Sequence, residues 1–249
     1  MPSPTQQART LIAQSSSNVE ALIRLFEADD LPGRTAAERL RWLLRATASG
    51  LPGMQMGLFP ADDSGFKPEL ADGRFYASPK YWARLLKPEE RHTSQVGHFL
   101  IAVGLRYNPW PESVALRLIV GHEKLGDRLI FGFVRQYFRA RHADRQLFRE
   151  AVAHDQAGDI QRRDEALFRI FGEPDEAKRD PDRIGNSVPD LRLSVKGWRF
   201  GEAIRAGQLR TRAEAANWLR REIYDPTRTR AALQAKTEDR AEHPGGASR

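Results

Sequence analysis

The chain has 249 residues, 40% of them hydrophobic, with 40 basic against 33 acidic side chains, a net charge of +7 and no cysteine. This is enough apolar material for one large domain or two small ones, and the missing thiols exclude disulfides, thiolate zinc sites, iron–sulfur clusters and cysteine nucleophiles. No apolar run reaches the ~20 residues that span a bilayer, and residues 1–14 lack the charged start and apolar centre of a secretory signal, so the sequence reads as cytoplasmic with no membrane attachment.

Residues 1–8 read as a flexible start. Leu11, Ile12, Val19, Leu22, Ile23 and Phe26 then recur at helical spacing, and the Ser15–Asn18 cluster splits them into two short helices, with Ser17 or Asn18 capping the second. Thr35-Ala36-Ala37-Glu38 has the reciprocal capping pattern. It starts a helix to about Ser49, with Ala37, Leu40, Leu43 and Leu44 on one face, and Gly50-Leu51-Pro52-Gly53 stops it. Residues 54–79 hold too many turn formers for a helix, leaving room for a small β-hairpin of Met56–Phe59 with Arg74–Tyr76. A loop of that length could act as a lid or binding loop. Ser78-Pro79 and Pro88 start further helices, and an apolar helix from Thr93 to Tyr107 ends at Asn108-Pro109-Trp110-Pro111.

Ser113–Phe171 reads as the organising stretch. From Arg128 on, Ile130, Phe133, Val134, Tyr137 and Phe138 line one side of a helix, and Arg128, Arg135, Arg139 and His142 fall in a narrow arc opposite, with no acid among them. The plain reading of such an arc is a solvated face, yet Arg135 and Arg139 repel each other at four residues' separation, as a helix facing a polyanion would tolerate. Gly172 is the expected stop. Two helices follow, Val195–Ala206 and Thr211–Tyr224, with a turn at Gly207. The expected fold is mainly α, with about eight to ten helices. Its expected division is a helical core domain over 1–172, an acidic linker over 173–190, a basic helical segment over 191–224 and a flexible tail over 225–249.

One internal echo stands out: RTAAERLRWLLR at 34–45 and RTRAEAANWLRR at 210–221 agree at seven of twelve positions. It places Trp42 and Trp218 alike, off the aliphatic stripe, although any capped helix in an Arg- and Ala-rich chain resembles another.

No catalytic template rises above chance. Arg117 and His122 have the separation used by the HEPN class of helical ribonucleases, but about 0.8 such pairs are expected here at any one spacing. The histidines form no metal-ligand spacing, and His154-Asp155 lacks a partner. There is no glycine-rich phosphate loop and no Gly-x-Ser-x-Gly elbow. No catalytic residue, metal or cofactor is assigned.

Charge is distributed unevenly, at +3 over 34–52, +3 over 113–171 and +5 over 191–223, with −3 over 172–190. Abundant Arg and Ala is what a GC-rich bacterial genome writes without selection for binding, but genome bias does not predict this clustering. Within 191–223, Lys196, Arg199, Arg205, Arg210, Arg212 and Arg220 are candidates for phosphate contact, with Trp198 interleaved. In a helix-turn-helix geometry Arg212, Asn217 and Arg220 would reach a groove. Trp42, Trp198 and Trp218 are candidates for stacking or an interface. These features point to a non-catalytic protein that binds DNA or RNA; the alternative is a protein-binding scaffold or adaptor subunit anchored by Trp42, Trp218 and the aromatic loop Phe59–Tyr81.

Overall fold

Polar caps followed by apolar stripes start most helices of this chain. In the computed structural model, which describes residues 2–47, 59, 65–70, 95–125, 141–171 and 188–227, Ser3 and Gln6 close a capping box before α1 (Pro4–Ala13). The Ser17 hydroxyl accepts the Glu20 amide at 3.2 Å to start α2 (Asn18–Glu27). Thr35 and Glu38 cap α3 (Ala36–Thr47) reciprocally, as the sequence pattern implies. There follow α4 (Gln95–Tyr107), α5 (Glu112–Leu125), α6 (His142–Gln156), α7 (Ile160–Phe171), α8 (Val188–Arg205) and α9 (Arg212–Glu222). The fold is mainly α, as expected. Among the described residues the extended pairings are two isolated bridges, Thr35 with Thr211 and Phe66 with Tyr224; most of the expected hairpin, including Arg74–Tyr76, lies outside them.

The centre of the molecule is α8. Thirteen of its eighteen residues are buried, so it has no solvent face of ordinary width and must be surrounded. Its partner is α4. An added Cβ on Gly197 would stand 2.4 Å from the Phe99 carbonyl oxygen, and one on Gly201 would stand 2.7 Å from that of Val103. Both glycines therefore permit a backbone approach that any side chain would block. Two apolar clusters meet on this pair. Phe99 and Val103 of α4 and Leu193, Phe200 and Ile204 of α8 join α1, α2, α3 and α9 in one. Ala102 and Leu105 of α4 and Leu191, Val195 and Trp198 of α8 join α5, α6 and α7 in the other.

This packing draws the basic 191–224 stretch into the same core as the helices before it. The helix begins at Val188, seven residues earlier than the spacing predicts. Pro189, which reads as a breaker, lies in the first turn, where its missing N–H costs nothing. Most of the expected acidic linker, the expected stop at Gly172 and the expected tail from 228 on lie outside the described residues.

A second difference concerns the arc of Arg128, Arg135, Arg139 and His142. The first three lie outside the described residues. Arg141 is extended, with ψ 159°, and caps a helix that starts at His142. His142, the first residue of that helix, is exposed.

Candidate functional site

The α2–α3 and α8–α9 hairpins carry the sequence echo, and they meet. Thr35 and Thr211 form an antiparallel bridge, with the Ala36 amide donating to the Arg210 carbonyl at 2.9 Å. The two capping boxes have matched geometry: the Glu38 carboxylate accepts the Arg34 and Thr35 amides at 2.8 and 3.1 Å, and the Glu214 carboxylate accepts those of Arg210 and Thr211 at 2.7 and 2.8 Å. These amides hold the Glu38 and Glu214 carboxyls below their ordinary range.

The equivalent tryptophans face differently. Trp218 is 5% exposed, with its ring centroid 5.0 Å from that of Phe200. Trp198 is 6% exposed, edge-on to Phe148 and under the Arg106 guanidinium at 4.9 Å. Both are core side chains whose rings are covered by neighbours, which leaves no open face for a base. Trp42 is half-buried: it packs on the first apolar cluster and also lines an open cleft.

Most of the cations picked out in 191–223 are held inside the molecule. The Asp155 side chain, fully buried, accepts from Arg163 at 2.9 Å through one oxygen, and through the other from Lys196 at 2.9 Å and from Arg199. Glu222 on α9 also takes Lys196 at 2.9 Å and Arg199 at 3.2 Å. Asp164 bridges Arg163 at 2.8 Å to Arg192 at 2.7 Å. Burial pushes the Asp155 carboxyl up, but the charge of Lys196 and the hydrogen bonds from Lys196, Arg163 and Arg199 outweigh it and leave its pKa lowered. Glu222 follows the same balance, with Lys196, Arg221 and Arg199 overcoming burial. Lys196 and Arg199 are thus neutralised by carboxylates between four helices, α6 to α9. Arg212 donates to the Ala28 carbonyl at 2.6 Å and pairs with Asp29, while Arg220 pairs with Glu27. Arg205 and Arg210 are exposed and, among the described residues, their side chains bond main-chain carbonyls, of Arg106 and Gly207.

Three of the open cations border one recess, Arg34 just before α3 and Arg41 and Arg45 on it. Arg34, Arg41 and Arg45 are exposed and form no ion pair within the described residues. With Trp42, Glu38, Gly33, Pro32 and Thr5 they line a cleft of about 750 Å³. Glu38 is the one acid in that lining, and its carboxylate is engaged by backbone amides. The bridge at Thr35 brings the main chain of Arg210 beside the start of the same helix. Of these side chains the sequence reading singled out Trp42 and Arg210 for contact, and not Arg34, Arg41 or Arg45. The available signal was the i, i+4, i+7 stripe of Glu38, Trp42 and Arg45 with Arg41 beside it, opposite the aliphatic stripe.

The class that fold and site define is a mainly helical protein with a buried ionic centre and an open basic cleft. Comparison with known families, curated proteins and solved structures gives no match. Among the described residues no group of His, Asp and Glu has the geometry of a metal site, and no helix is long and apolar enough to cross a membrane.

Proposed function

We propose that this is a cytoplasmic, bacterial, non-catalytic nucleic-acid-binding protein or subunit that grips the phosphate backbone through the α3 cleft. The observation that supports the reading is the company its cations keep. Carboxylates quench Lys196, Arg199, Arg212 and Arg220, whereas Arg34, Arg41 and Arg45 gather around one recess without an ionic partner among the described residues. Guanidinium groups of this kind neutralise phosphates and release the counterions condensed on the nucleic acid, and this release drives non-specific binding. Guanidinium forks also match phosphate geometry better than ammonium groups do.

The test is a mobility-shift titration of nuclease-treated protein on DNA and RNA, comparing the wild type with the triple variant Arg34→Ala, Arg41→Ala, Arg45→Ala. Loss of three phosphate contacts should flatten the log-affinity against log-salt slope by about 2 on a single strand. Retention unchanged in the triple variant discards the proposal.

A further inference from the structure

We infer that the α3 cleft takes unpaired nucleotides, with Trp42 as the platform for a base and Arg34, Arg41 and Arg45 as the grip on its flanking phosphates; this rests on the nucleic-acid reading above. Three features of the cleft combine. It is an open recess of about 750 Å³, within the volume range of small-ligand clefts and large enough for a nucleotide. Trp42 lies within the recess, half-buried, with one part on the apolar core and another lining the cleft. Its indole N–H has no hydrogen-bond partner among the described residues. The third feature is the set of cations in the lining, Arg41 and Arg45 on the same helix as the ring and Arg34 just before it.

Duplex geometry makes the choice. In a double helix both faces of every base are covered by neighbours, and proteins meet only edges in the grooves. An unpaired base can swing into the recess and stack, which is how single-strand binders combine cationic grooves with aromatic platforms. Trp198 and Trp218 cannot serve in this way, because both rings are buried.

The experiment is an anisotropy titration at low salt with a labelled single strand and a duplex of equal length. It uses the wild type, Trp42→Ala, Trp42→Phe and the triple arginine variant. The wild type binds the single strand more tightly. Trp42→Ala weakens single-strand binding by about tenfold, in line with a lost stack, leaves duplex binding unchanged, and Trp42→Phe restores most of the loss. Trp42→Ala also removes core packing, so intrinsic fluorescence gives a second readout in the better-packed Trp42→Phe. Quenching by the single strand is seen in the wild type and largely lost in Trp42→Phe. Equal affinity for the two forms, or equal quenching in wild type and Trp42→Phe, overturns the inference while the phosphate-binding reading stands. Failure of the wild type to bind either form overturns both.

Discussion

Arg39 lies wholly inside the protein and has no carboxylate to hold it. Its guanidinium donates instead to six main-chain carbonyls, those of Pro32, Leu25, Phe26, Ala28, Leu31 and Gly33, at the end of α2 and in the turn that follows. Burial, and then the nearby charge of Arg212, lower its pKa to about 10, which still leaves it charged at neutral pH. The planar fork of a guanidinium can reach this many acceptors, and a lysine's single ammonium cannot. Arg39→Met should therefore cost about 3 kcal/mol or more, because several carbonyls are left buried without donors at about 1–3 kcal/mol each; urea unfolding measures it, and Arg39→Lys should recover little. Arg41 and Arg45, on the same helix, face the opposite way. The sign was readable: Ala36, Arg39, Leu40 and Leu43 stand at i, i+3, i+4 and i+7, so Arg39 sits on the apolar stripe. Asp155 completes the stripe of Leu147, Phe148 and Ala151, and Arg163 that of Ala166, Leu167 and Ile170. A charge on an apolar stripe announces a buried partner, but which partner it meets is not written nearby.

At the level of elements, the α4–α8 contact depends on two missing methyl groups. On an exposed helix, replacing glycine with alanine stabilises by about 1 kcal/mol. At Gly197 the new Cβ would lie 2.4 Å from one carbonyl oxygen and 2.9 Å from the Ala102 Cβ. The first neighbour is backbone of a packed helix and cannot yield without moving α4. Overpacking outweighs propensity here, so Gly197→Ala should lower stability by about 1–3 kcal/mol, seen as a fall in Tm by circular dichroism. The hairpin turn after α8 has a separate need, since Gly207 has φ 70° and its following amides close onto Ala203, the helix stop that glycine makes cheaply. The echo between α3 and α9 is likewise an element-scale result. The matched Thr–Glu caps start both helices at one bridge, yet Arg39 in the first corresponds to Ala215 in the second. The copies therefore bury different chemistry.

Across the whole molecule, the Asp155 centre ties α6, α7, α8 and α9 together with three carboxylates against four cations, Arg163, Arg192, Lys196 and Arg199. Removing one member of a buried ionic set leaves the others uncompensated, a cost of about 3–5 kcal/mol. Asp155→Asn should destabilise by that order at pH 7. Asp155 and Glu222 both have lowered pKa values, so each contributes stability that is fully present above its unfolded value, 3.8 and 4.5. That contribution is lost as pH falls from there through the folded value. Urea midpoints should be flat from pH 7 to about 5 and drop below it, with a shallower drop in Asp155→Asn; a variant limb as steep as the wild type's would remove Asp155 from the acid response.

Sequence by itself determined the helical class, a cap at Ser17 or Asn18, the cap at Thr35, the stop after Tyr107 and the turn at Gly207. Each depends on residues within one helical turn, where hydrogen bonds and backbone sterics are local. Only the tertiary structure decided that α8 is central and that Lys196 and Arg199 answer to Asp155 and Glu222 while Arg41 and Arg45 remain open. The physical reason is that a charge's role is set by what lies within a few ångströms in space. Those neighbours come from helices 23 to 44 residues away in the chain.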